Sequence, residues 1–135
     1  MPKVTHIDHI AIIVKNLEEA FSFWREALGM QIVCTKEIPA EQARVAFMNL
    51  GEERIEFIEP TSAESSLARF LEKRGPGMHH ICLEVDDIES MLVQLKESSV
   101  QLINQTPETG SDGRKYVFIH PKSANGVLVE LYEMV

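Results

Sequence analysis

IDHIAIIV, residues 7–14, reads as a buried strand interrupted by one imidazole, that of His9. MHHICLEV, residues 78–85, repeats the arrangement, with His80 again standing directly before Ile and an apolar run. Sliding the chain along itself by 71 residues lays His9 on His80, Val14 on Val85, Leu17 on Ile88 and Glu18 on Glu89. A fixed offset held across several residue types marks an internal repeat, and missing it would misassign the whole fold.

Each half continues from its strand into a helix, because apolar side chains recur at helical spacing: Leu17, Ala20, Phe21, Trp24 and Leu28, then Ile88, Met91, Leu92 and Leu95. Gly29 suits the C-terminal cap of the first helix. Three β-rich runs follow in each half: MQIVCTKEI (30–38), ARVAFMNLG (43–51) and RIEFIEP (54–60), then VQLINQ (100–105), KYVFIHP (115–121) and VLVELYEM (127–134). The pattern is βαβββ twice, over residues 1–60 and 78–135, with SAESSLARFLEKRGPG inside a helical connector at 61–77 that starts on Ser and stops at Gly-Pro. One helix cannot cover the sheet of its own module, so the two modules are expected to pair in an α+β fold, a cupped, mixed eight-stranded sheet with the helices outside.

A chain of 135 residues with 44% apolar content supports one such domain. It contains no apolar run long enough to cross a bilayer, and MPKVTHIDH lacks the apolar core of a signal peptide, so a cytoplasmic protein without a membrane partner is expected. Cys34 and Cys82 lie in apolar runs and read as reduced core residues. A net charge of −8 argues against a nucleic-acid partner, although a local basic cluster can still take a small anion.

The last strand of each half carries a carboxylate among apolar residues, Glu56 in RIEFIEP and Glu130 in VLVELYEM. Glu56 follows His9 by 47 residues and Glu130 follows His80 by 50, the difference falling in the longer HPKSANG turn. A mid-strand carboxylate is costly to bury as an ion without a partner, and a lone strand histidine is most often a satisfied core residue. The same two residue types at matching places in both halves shift the balance to a metal site. Two neutral imidazoles and two carboxylates suit Co²⁺, Ni²⁺, Mn²⁺, Fe²⁺ or Zn²⁺, with positions left for water or substrate. On alternating strands His80 shares its face with Cys82, read as a small apolar lining group. His79 faces the other way and reads as structural, while His6 and His120 fall at strand ends.

IDHIAIIVKNLEEAFSFWREALGM, RIEFIEP, LARFLEKRGPGMHHICLEVDDIE and YVFIHPKSANGVLVELYE together resemble the vicinal oxygen chelate superfamily. Over essentially the full length they resemble its methylmalonyl-CoA epimerase family, FLEKRGPGMHHI with HPKSANGVLVEL being the most specific combination. The resemblance implies metal ligands at His9, Glu56, His80 and Glu130, a divalent cofactor with Co²⁺ foremost, an acyl-CoA substrate and a homodimer. It implies epimerisation at the carbon between thioester and carboxylate through a metal-stabilised enolate, with Glu130 as one proton carrier. Some epimerases place a second acidic residue in the segment matching EQARVAF; the aligned position here is Val45, with Glu37 and Glu41 nearby. Lys122 and Ser123, and more weakly Arg114 and Lys115, are candidates to contact substrate carboxylate or phosphates, whereas Arg69, Lys73 and Arg74 read as an exposed helical face. Rival readings are a lactoylglutathione lyase, a bleomycin-type binding protein and, less suited to four ligands, a dioxygenase.

Overall fold

The computed structural model describes residues 1–110 and 112–134. Ser111 and Val135, both within the expected second module, lie outside the described residues. The elements are β1 (Val4–Ile13), α1 (Leu17–Phe21) running on into a π-helical turn (Ser22–Ala27), β2 (Ile32–Ile38), β3 (Ala43–Leu50), β4 (Glu53–Pro60), α2 (Ser66–Arg74), β5 (Gly77–Val85), α3 (Ile88–Glu97), β6 (Glu108–Thr109), β7 (Lys115–Ile119) and β8 (Val129–Glu133). The expected βαβββ succession occurs twice, and the eight strands form a mixed sheet. No helix among the described residues is long and apolar enough to cross a membrane.

The chain divides into two compact units, His9–His79 and Met1–Asp8 with His80–Val135. In the first, strands are hydrogen-bonded in the order β2-β3-β4-β1, with β1 parallel to β4 and the other pairs antiparallel. In the second, the opening half of β1 is followed by β5-β8-β7-β6, with β8 parallel to β5. The N-terminal residues belong to this second unit because Lys3 and Asp86 exchange hydrogen bonds, 2.8 Å from the Lys3 N–H to Oδ1 and 3.1 Å from the Asp86 N–H to the Lys3 carbonyl.

Both repeat helices start by one device. Asn16 and Asp87 accept the N–H of the residue three ahead, Glu19 at 2.7 Å and Ser90 at 3.1 Å. The first helical N–H of each is bound by a strand carboxylate, Leu17 by Glu59 at 2.8 Å and Ile88 by Glu133 at 2.7 Å. Glu59 and Glu133 follow Glu56 and Glu130 by three residues in EFIE and ELYE, so each strand that bears a candidate ligand is also tied to its helix.

Alternation along β3 supplies both faces of the first unit. Ala46 and Met48 pack with Leu17, Ala20, Phe21 and Phe57 under α1, while Val45 and Phe47 join Ala11, Ala43 and Ile58 on the opposite face. In the second unit Ile88, Met91 and Leu92 of α3 close over Val117, Ile119 and Leu131. The connector helix α2 is capped by Ser65, whose Oγ accepts the Ala68 N–H at 3.0 Å.

Three sequence expectations change. Leu28 is exposed instead of lying on the apolar stripe: the π-turn, with the Leu28 N–H reaching the Phe23 carbonyl at 3.0 Å, advances the helical phase by a residue. VQLINQ does not form a strand; only Leu102 makes a bridge, to Ile119, and the two-residue β6 stands as the first of the three strands after α3. Side chains there occupy the groups that a ladder would use, Asn104 Oδ1 accepting the Phe118 N–H at 2.7 Å and Ser123 Oγ the Gln101 N–H at 2.8 Å. Cys34 is exposed, not core, because β2 ends the strand order and leaves that position open; Cys82 is fully buried.

Candidate metal and substrate site

In the first unit, β1 and β4 bring His9 Nε2 within 3.3 Å of Glu56 Oε1, both side chains nearly inaccessible at 5% and 13%. Phe47, register partner of Glu56 on β3, sets its ring edge-on to His9 at 6.2 Å. In the second unit, β5 and β8 bring His80 Nε2 within 3.1 Å of Glu130 Oε1, with the same burial to within a few per cent. Phe118, register partner of Glu130 on β7, stands edge-on to His80 at 5.6 Å. The sequence reading missed both phenylalanines, although Phe47 and Phe118 share the offset of 71 that relates the histidines.

The donor spacing tests the fit to a metal. Two nitrogen or oxygen donors about 2.1 Å from one ion, at tetrahedral or octahedral angles, stand roughly 3.0–3.4 Å apart. The two His–Glu pairs, at 3.3 Å and 3.1 Å, meet that spacing. Imidazole with carboxylate is also a donor set for divalent first-row metals.

Cys82 does more than line the site. It is the register partner of Glu130, and its thiol is hydrogen-bonded to that carboxylate. Burial first, then the negative charges of Glu130 and Asp8, push the thiol well above its usual range, so it stays protonated and donates. The carboxylate of Glu130 is therefore held by two groups of β5.

The second unit also holds a partly buried polar cluster around the buried Tyr132. The Tyr132 O–H is 2.7 Å from Asp8 Oδ1 and 2.8 Å from Glu84 Oε1, and the Arg114 guanidinium lies 3.9 Å over the Tyr132 ring. Arg114 Nη1 faces Asp8 Oδ2 at 3.7 Å and Nε faces Asp112 Oδ2 at 3.4 Å. Within the chain, Arg114 thus offsets the negative charge of Asp8 and Asp112.

Lys122 and Ser123 are exposed in a 3₁₀ turn, Pro121–Ser123. Their local contacts are structural: the Lys122 N–H donates to His120 Nδ1 at 3.0 Å, and Ser123 Oγ accepts from Gln101. Lys115 opens β7, and Arg69, Lys73 and Arg74 are exposed on α2 as expected. His79 packs edge-on against Phe70 at 4.6 Å, and His6 is exposed near Glu84. Val45 is buried on the face of Phe47; Glu37 pairs with Arg44 and projects from the other face, and Glu41 is exposed in the β2–β3 turn.

The model of the Glyoxalase/Bleomycin resistance protein/Dioxygenase superfamily matches residues 8–118. The chain belongs to this superfamily. Within it, the chain is 38% identical to the mitochondrial methylmalonyl-CoA epimerase of Homo sapiens over 126 residues, 93% of this chain and 72% of that protein. It is 36% identical to the ethylmalonyl-CoA/methylmalonyl-CoA epimerase of Cereibacter sphaeroides over 133 residues, 97% and 99% of the two chains. A variant of Streptomyces coelicolor methylmalonyl-CoA epimerase, solved in complex with 2-nitronate-propionyl-CoA, superposes with a TM-score of 0.88 at 29% identity, covering 98% of this chain and 96% of that one. These superfamily members share the fold expected from the repeat.

Proposed function

We propose that the protein is a metal-dependent isomerase that interconverts (R)- and (S)-methylmalonyl-CoA. The observation that carries this reading is the repeated His–Glu pair, found at ligand spacing in both units of a chain 36–38% identical to epimerases of that substrate class. His9, Glu56, His80 and Glu130 would together hold one divalent ion, Co²⁺ foremost, in a cytoplasmic homodimer. When bound, the ion supplies an electrophile for the negative charge that develops on the thioester oxygen.

The chain's own residues carry the proton. Glu130, held by His80 and Cys82 in a nearly dry site, is the base that takes the C2 hydrogen on one face of the acyl group. Inversion requires a second carrier on the opposite face. Val45 cannot serve, and the carboxylate projecting from the same face of the first unit, one strand over, is Glu56. Glu56 and Glu130 as the two carriers repeat in chemistry the symmetry of the sequence. The Phe47 and Phe118 rings standing edge-on to His9 and His80 limit access of water, which slows exchange of the abstracted proton with solvent.

Turnover of two substrates tests the reading against its nearest rival. The metal-loaded protein is expected to epimerise methylmalonyl-CoA and to leave the hemithioacetal of glutathione and methylglyoxal unchanged; the reverse preference would make it a lactoylglutathione lyase.

A further inference from the structure

His9, Glu56 and Phe47 recur as His80, Glu130 and Phe118, yet the residue set beside each carboxylate does not recur. Ala11 is the register partner of Glu56 and Cys82 the register partner of Glu130, and the two stand at the same offset of 71. Both are fully buried, and each lies two residues along its strand from a site histidine and so on the same face. Ala11 brings Glu56 a methyl group, packed with Val45, Phe47 and Ile58. Cys82 brings Glu130 a thiol that is hydrogen-bonded to its carboxylate. Whatever further contacts Glu56 keeps, an alanine donates nothing from this position. A thiol is a weak donor, but an ionised acceptor in a nearly dry place strengthens the bond. His80 Nε2 meets the same carboxylate, 3.1 Å from Oε1, so two residues of one strand restrict its rotation.

We propose that Cys82 is a positioning residue whose S–H fixes the Glu130 carboxylate, makes the two repeated carboxylates inequivalent and so gives hydrogen removal from the two stereoisomers different barriers. The inference rests on the epimerase reading and concerns how its two proton carriers divide the work. A carboxylate already held in orientation needs less rearrangement to take a hydrogen than one that must be turned into place. The same hold supports Glu130 as a ligand, because hydrogen-bond partners of a ligating carboxylate keep it in the geometry the ion requires.

Two variants and two readings test the role. Cys82→Ala copies the residue that the first unit carries at this place and removes one buried sulfur atom, while Cys82→Ser keeps a donor. In calorimetric titration of metal-free protein with Co²⁺, Cys82→Ala is expected to bind roughly tenfold more weakly than wild type and Cys82→Ser within about threefold of it. The second reading is the primary deuterium isotope effect on kcat/KM, measured separately from C2-deuterated (R)- and (S)-methylmalonyl-CoA in Co²⁺-loaded protein. Slower transfer at Glu130 alone raises the effect for the stereoisomer whose hydrogen Glu130 takes. It lowers the effect for the other, because the hydrogen taken on the opposite face is then returned more often before the intermediate goes forward. Cys82→Ala should show this split and Cys82→Ser should not. Unchanged Co²⁺ affinity in Cys82→Ala, isotope effects that move together or not at all, or a serine variant no better than the alanine one would each overturn the proposal. A wild-type protein that does not epimerise brings down the functional reading instead. An active wild-type protein whose alanine variant matches it in both readings brings down the positioning role alone.

Discussion

Replacing Tyr132 by Phe removes one hydroxyl from a side chain that is 2% exposed, and two carboxylates lose the donor they share. A hydrogen bond to a charged partner contributes about 1.5–3 kcal/mol, and a buried acceptor left without a donor adds to the loss. Asp8 and Glu84 retain 13% and 26% side-chain exposure, so water recovers part of it. The expected destabilisation of Tyr132→Phe near neutral pH is about 2–4 kcal/mol. A second signature follows from titration. Burial, then the hydrogen bonds to Asp8 and Glu84, raise the phenol above its ordinary value of 10.0. A group whose folded pKa lies above its unfolded one contributes stability that is complete below the unfolded pKa and is lost as pH rises through the folded one. Wild-type stability should therefore fall above about pH 10, by up to roughly 1.4 kcal/mol per pH unit from this group, and the phenylalanine variant lacks that component. Urea unfolding of both proteins between about pH 8 and 11 measures it, the gap narrowing toward the alkaline end. A variant within about 0.5 kcal/mol of wild type at neutral pH, or a gap independent of pH, would refute the reasoning.

Glu133→Ala should cost about 1–2 kcal/mol by stripping the first N–H of α3 of its partner, and Glu59→Ala a similar amount at α1, both read from denaturant midpoints. Cys34 is expected to alkylate in the native protein and Cys82 only after unfolding, which mass spectrometry of the labelled chain distinguishes. Glu130→Gln and Glu56→Gln should each lower inversion at C2 by at least about 100-fold. Each is also expected to retain solvent exchange of the C2 proton for one stereoisomer, a single carrier being left; equal loss of exchange for both isomers in both variants would argue that the carboxylates act only as ligands.

The repeat made most of the architecture legible, because His, Val and Glu at a constant offset constrain topology more tightly than local propensity does. The same offset located the His–Glu pairs, whose chemistry is unusual for mid-strand positions. What escaped were features decided by neighbours rather than by pattern. VQLINQ has a strand's composition, yet Asn104 and Ser123 satisfy its surroundings through side chains. Cys34 lies in an apolar run, but only the strand order reveals that β2 is an edge. Arg114 reads from the sequence only as a weak candidate for a substrate contact, because its partner Asp8 lies more than a hundred residues away in sequence.

Deuterium entry at C2 of enantiomerically pure methylmalonyl-CoA, followed by NMR with metal-stripped protein and again after addition of Co²⁺, tests the central claim most directly. The account predicts exchange accompanied by appearance of the other stereoisomer, dependent on the added ion and abolished in a His9→Ala or His80→Ala protein. Neither exchange nor inversion in the fully metallated wild-type protein would contradict it.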